Sequence, residues 1–220
     1  MSLESLLREA VESLREREIL FAVAGGLAAD LYRCKSRLTM DVDLAIVTEK
    51  SALKPAVSVI ESMGLEAVVV RKADLVDGPL FAIRRGNTTP CMVVGRKKCI
   101  VAGEWIDLLL PAIPWVGDAV RRAQDNGVDF GFGAIPVLTV EDVILSKLYV
   151  LNSARLRAKD LDDLQSIYES ECDIDLAYLS GQMRRFDIRI PRAAEPFLDD
   201  VILKVSRDIV RAARVRRKGA

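Results

Sequence analysis

Apolar and polar positions recur along the chain with two different periods, and the change of period divides it. Leu3, Leu6, Leu7, Ala10, Val11 and Leu14 follow Ser2 at helical spacing, with Glu and Arg on the other face, which predicts an N-capped amphipathic helix. Residues 19–24 read as a short buried strand stopped by Gly25-Gly26, and a helix is expected over roughly Leu27–Cys34. Lys35–Thr39 reads as a loop, Met40–Val47 as a strand, and Ser51–Met63 as a helix closed by Gly64. Leu65–Val70 is another strand. Three or four more are expected from Leu80 to Leu110, broken at Gly86-Asn87, Gly95 and Gly103-Glu104. Pro114–Gln124 suits a short helix, and the Gly131-Phe132-Gly133 turn leads into a strand over Ala134–Leu138. From Thr139, an N-cap with Asp142 at the third helical position, nearly everything to Arg217 has helical spacing. A division near residue 138 follows, into 1–138 and 139–220.

Composition narrows the chemistry. Half of the 220 residues are hydrophobic and 29% are charged, enough to bury a core. Lys+Arg and Asp+Glu tie at 32, so net charge demands no polyanionic partner. Arg207, Arg211 and Arg214 nevertheless share a helical face ahead of Arg216-Arg217-Lys218, which suits either an RNA surface or a solvated tail. No apolar run has the roughly 20 residues that a membrane helix needs, and the N-terminus does not read as a secretory peptide. Cys34, Cys91, Cys99 and Cys172 are widely spaced, as expected of buried reduced thiols in a cytoplasmic protein. There is no histidine, which excludes Ser-His-Asp and Cys-His catalysis and His-ligated zinc.

Carboxylates remain. Between Phe21 and Val47 a strand runs into Gly25-Gly26, a helix follows, and Asp41-Val42-Asp43 opens the next strand. Glycines at such a junction let the backbone approach a ligand with no Cβ between. The N–H groups opening a helix favour an anion, so this is a candidate phosphate seat. Asp41 and Asp43, about 7 Å apart at Cα, project from one strand face, while Val42 and Leu44 point into the core. Such a pair suits a hard cation, or equally a solvated strand end. Asp107 interrupts the apolar run Trp105–Leu110, a costly place for an acid unless it is paired or metal-bound. If that strand lies beside Asp41 and Asp43, the three acids form one cluster, and Asp107 is placed to accept a hydroxyl proton.

This order of Gly-Gly, Asp-x-Asp and a later strand Asp resembles the nucleotidyltransferase superfamily, with its polymerase-β-like fold. Three stretches resemble the bacterial branch that includes AbiEii-type toxin nucleotidyltransferases: Arg37-x-Thr39-x-Asp41-Val42-Asp43-Leu44, Pro136–Asp142, and Lys159-Asp160-Leu161-x-Asp163-Leu164. The likeness spans about residues 20–47 and 104–170. It implies an α+β fold, a nucleotidyltransferase-like mixed sheet with flanking helices, followed by a helical C-terminal part. It implies Mg2+ on Asp41, Asp43 and Asp107, and a nucleoside triphosphate against Gly25, Gly26, Arg37, Thr39, Lys147, Lys159 and Asp160. The implied reaction moves a nucleoside monophosphate to a hydroxyl of RNA, protein or a small molecule. The toxin branch adds tRNA as acceptor and a cognate antitoxin protein as partner. Two departures are plain: Gly25-Gly26 stands where the superfamily more often has Gly-Ser, and the span from Gly26 to Asp41 is slightly long. Read without the resemblance, Lys147 suits a snorkelling lysine, and Lys159, Asp160 and Asp163 suit surface pairing along a helix. A non-catalytic nucleotide- or protein-binding module on the same fold, and a metal-dependent phosphohydrolase, stay open as alternatives.

Overall fold

The computed structural model describes residues 2–48, 51–71, 89–96, 105–152 and 157–218, with side chains described to residue 213. Helix α1 (Leu3–Glu16) begins as its sequence predicts: the Ser2 hydroxyl accepts from the Ser5 N–H, and Leu6, Leu7, Ala10, Val11 and Leu14 are buried. Strand β1 (Leu20–Val23), the short helix α2 (Gly25–Asp30) and strand β2 (Asp41–Val47) follow. Then come α3 (Leu53–Ser62), β3 (Glu66–Arg71), β4 (Pro90–Arg96), β5 (Trp105–Leu109) and α4 (Val116–Ala123). A hairpin of β6 (Gly127–Asp129) and β7 (Ala134–Pro136) leads into α5 (Val140–Leu151), α6 (Ala158–Glu169), α7 (Leu176–Arg185), a 3-10 turn at Arg192–Phe197, and α8 (Asp200–Lys218).

Five strands form one sheet in the order β1-β2-β5-β4-β3. Among the described strands of this sheet, β2 and β5 run parallel and the other neighbours antiparallel, so the sheet is mixed. Helices α1 and α3 pack on one another and on the sheet, and α2 lies against β2 and α5. Val42, Leu44, Ile46, Ile106 and Leu108 are fully buried, which fixes the strand register because a one-residue slip would put acids in their place. Helix α5 is buried around most of its circumference, including Glu141, Asp142 and Lys147. Charges at such depth require partners.

Several expectations shift. Helix α2 starts on the glycines and ends at Asp30, several residues early. The Asp30 carboxylate accepts from the Arg37 N–H at 2.9 Å and the Ser36 hydroxyl at 2.6 Å, which folds the chain back instead of extending the helix. Thr139 occupies the N-cap of α5, but its hydroxyl donates to Asp142 rather than capping the backbone. Of the strands expected from Leu80 to Leu110, β4 and β5 are seen; Gly86-Asn87 and Gly103-Glu104 lie outside the described residues. The thiols are not uniformly buried: Cys91 is, Cys172 is half-buried and Cys34 is exposed, while Cys99 lies outside the described residues. The side chains of Arg214, Arg216, Arg217 and Lys218 also lie outside the described set. Among the described residues, no helix is long and apolar enough to cross a membrane.

Candidate active site

Strand register gathers the acids. In the parallel β2–β5 pair, Asp43 stands beside Asp107 and Asp41 beside Trp105, so all three carboxylates project from one face. They line one pocket of about 300 Å³ together with Gly25, Gly26, Arg37, Lys147, Lys159 and Asp160. A larger cavity, about 480 Å³, lies among the C-terminal helices, but Leu164, Ile167, Phe197 and Ile202 line it and it holds none of these acids.

Among the described residues, nothing fully offsets the acids. The Asp107 carboxyl is pushed up to about 7, first by burial, then by the charges of Asp43 and Asp41, against the weaker pull of Lys159. Asp43 is raised for the same reasons, burial first and Asp41 second, opposed by Lys147, Lys159 and a hydrogen bond from the Gly26 amide. Gly25 has a left-handed φ of 58°, and a Cβ there would stand 1.8 Å from Asp43 Oδ2. A Cβ on Gly26 would stand 2.9 Å from both Arg37 Nη2 and Thr39 Oγ1. The glycine pair thus lets the turn close around Asp43 on one side and Arg37 on the other.

The donor set is hard oxygen, the kind that suits magnesium. Among the described residues, no group of three His, Cys, Asp or Glu side chains forms a closed metal cage. Magnesium is commonly held by one or two carboxylates plus substrate phosphates, without a closed protein cage. An open group of acids lacking compensation fits that mode.

The opposite wall is basic and internally paired. Lys147 Nζ lies 3.1 Å from Asp160 Oδ1 and 2.8 Å from Asp163 Oδ2, so it is a paired buried lysine and not a snorkelling one. Arg37 donates from Nε (2.8 Å) and Nη2 (3.2 Å) to Asp163, and Arg157 Nε lies 3.3 Å from Asp160 Oδ2. Lys159 is exposed at the pocket. Burial, the largest single influence on Asp163, would raise it; hydrogen bonds and charge from Arg37 and Lys147 outweigh burial and bring it down to about 2.

Of the candidate metal and nucleotide residues, Thr39 is not among the pocket-lining residues; it is buried, with its hydroxyl lacking a hydrogen-bond partner. The extended segment into β2 packs it against Gly26 instead. Sequence reading missed Arg157, Ser146, Trp115 and the apolar lining of Met92, Leu109, Ile113 and Val150. Only Arg157 left a signal, three residues ahead of Asp160 on one helical face.

The chain matches no protein-family model and no curated protein. Among solved structures it is similar to ANT(2'')-Ia in complex with adenylyl-2''-tobramycin, at 16% identity and a TM-score of 0.54, covering 83% of this chain and 97% of that one. A solution structure of the antibiotic-resistance factor ANT(2'')-Ia gives 15% identity and a TM-score of 0.50, covering 83% and 91%. A nucleotidyltransferase-like protein from Paracoccidioides brasiliensis gives 15% identity and a TM-score of 0.46, covering 96% and 88%. What the chain shares with the first two is architecture: a five-stranded mixed sheet flanked by helices, the nucleotidyltransferase-like α+β fold.

Proposed function

We propose that this chain is a magnesium-dependent nucleotidyltransferase that moves a nucleoside monophosphate from a nucleoside triphosphate to a hydroxyl acceptor. The observation that carries the reading is the in-register pairing of Asp43 with Asp107 on parallel strands, with Asp41 on the same face and a basic wall across the pocket. Asp41, Asp43 and Asp107 would hold the metal together with ligand phosphates. Bound there, magnesium supplies positive charge that offsets the acids and the triphosphate and polarises the phosphorus under attack.

The protein's own groups do the rest. Arg37, Lys147 and Lys159 face the triphosphate from the basic wall, and Asp160 orients Lys147. Asp107 accepts the acceptor's hydroxyl proton as that oxygen bonds to the α-phosphorus. The bond from the α-phosphorus to its bridging oxygen breaks, and pyrophosphate leaves. The apolar residues Met92, Leu109, Ile113 and Val150 shield the pocket from water. In this reading residues 1–138 form the domain that supplies the acids, and residues 139–220 form the helical domain that supplies most of the cations.

The acceptor is a hydroxyl on RNA, on a protein side chain, or on a small molecule. The adenylyl-tobramycin bound to the similar structure makes a small alcohol one class to test. The sequence resemblance to AbiEii-type toxins makes tRNA another, with a cognate antitoxin as partner. The test is incubation with each α-labelled triphosphate, magnesium, and separate RNA, protein and aminoglycoside fractions. Label entering one fraction, and lost with Asp41→Ala plus Asp43→Ala, supports the reading. Triphosphate loss without labelled acceptor indicates a phosphohydrolase, and metal-independent binding without turnover indicates a non-catalytic module; either outcome defeats it.

A further inference from the structure

One carboxylate on the basic wall is fully buried and shared among three cations. Asp163 on α6 has no solvent exposure; its Oδ1 lies 2.5 Å from Arg33 Nη1 and 2.8 Å from Arg37 Nε, and its Oδ2 lies 3.2 Å from Arg37 Nη2 and 2.8 Å from Lys147 Nζ. Both oxygens are engaged. The cations come from the segment between α2 and β2 and from α5, so a single side chain on α6 ties three parts of the molecule together.

The partners differ in where they lead. Arg37 and Lys147 line the pocket; Arg33, only 4% exposed and further anchored to Asp162 at 2.8 Å, is not among the lining residues. Asp163 grips one edge of the Arg37 guanidinium, Nε and Nη2, and that same Nη2 lies against the glycine turn that holds Asp43. A guanidinium has five N–H donors in a rigid fork, so gripping one edge fixes the plane of the rest; of these, Nη1 makes a long 3.4 Å bond to the Leu38 carbonyl. An arginine and a lysine held in advance lose less freedom when they meet an anion than two mobile side chains would.

We propose that Asp163 is a positioning residue that holds Arg37 and Lys147 as a preformed seat for the triphosphate. The assignment rests on the nucleotidyltransferase reading above and adds to it a division of labour: Asp163 sets affinity through its two pocket-lining partners, and Arg33 serves only the stability of the network.

The test is calorimetric titration of inorganic tripolyphosphate, and of ATP, GTP, CTP and UTP, into the full chain with magnesium present, alongside thermal melting of each variant. Asp163→Asn is expected to weaken tripolyphosphate binding by about tenfold to a hundredfold. Arg37→Met is expected to do likewise, with the double variant losing much less than the product of the two. Arg33→Met is expected to melt lower but bind within about twofold of the unaltered chain. Wild-type affinity in Asp163→Asn, multiplying losses in the double variant, or equal loss in Arg33→Met and Arg37→Met would each overturn the assignment. If Asp163→Asn does not fold, the Arg33→Met and Arg37→Met comparison decides alone. An unaltered chain that binds no triphosphate at all defeats the functional reading itself, whereas binding insensitive to Asp163 defeats only this inference.

Discussion

The two walls of the pocket handle charge in opposite ways. On the sheet, three acids face one space with too little positive charge among the described residues; Asp43 is driven toward protonation by burial and Asp41, and Asp107 by burial, Asp43 and Asp41. On the helices, Asp160 and Asp163 are each matched by cations at hydrogen-bonding distance, and Asp163 is held near 2. The basic wall meets its buried acids with its own cations; among the described residues, the acid wall has no such match. A structural ion-pair network needs no ligand, but an uncompensated acid group is hard to explain without one.

The contrast breaks most sharply at Asp41 and Asp43. Replacing both by Ala should cut nucleotidyl transfer on the order of 10³-fold or more, by removing several kcal/mol of transition-state charge stabilisation. The fold should survive, as near-native circular dichroism and melting would show. The same operation on the other wall should do the reverse to stability. Asp163→Ala strands three cations and should cost about 3–5 kcal/mol, lowering the melting temperature by roughly 10 °C.

Gly25→Ala joins the two effects. A side chain there needs a left-handed φ and collides with Asp43, so a loss of about 2–4 kcal/mol is expected, together with activity. Chemical denaturation and transfer assays measure both. A milder test uses pH. Because the folded-state value for Asp163 lies below its ordinary 3.8, its contribution, about 2 kcal/mol, is fully present above pH ~5 and is lost as pH falls toward 2. Urea titrations between pH 6 and pH 3 should show about half of that loss in the unaltered chain, and it should be absent from Asp163→Asn. Smallest of all, Asp107→Asn without divalent metal should melt no lower than the unaltered chain, and up to about 1 kcal/mol more stably, because it removes one of three mutually repelling charges.

The same contrast explains what could be read in advance. Asp41, Asp43 and Asp107 were legible because a strand has a period of two, and each acid interrupts an apolar run whose register is fixed by buried neighbours such as Val42 and Leu108. The glycine pair was legible as a close approach, though not as an approach to Asp43 itself. The basic wall was only half legible. Lys147 looked like a snorkelling lysine because its partners, Asp160 and Asp163, reach it only once α6 docks against α5. Arg37 sat in an expected loop, with nothing nearby to show that its anion lies 126 residues further on. Thr39 entered with its motif and turned inward, since extended backbone alternates and the Gly26 side had room for it. Local periodicity carries faces; it does not carry which helix lands on which loop.

The most direct measurement is thermal melting with and without millimolar magnesium and each triphosphate, for the unaltered chain and for Asp43→Asn. If the acid wall awaits a cation, magnesium with the right triphosphate raises the melting temperature of the unaltered chain and leaves Asp43→Asn where it was. An unaltered chain indifferent to magnesium under every triphosphate, or an equal rise in Asp43→Asn, would contradict the account.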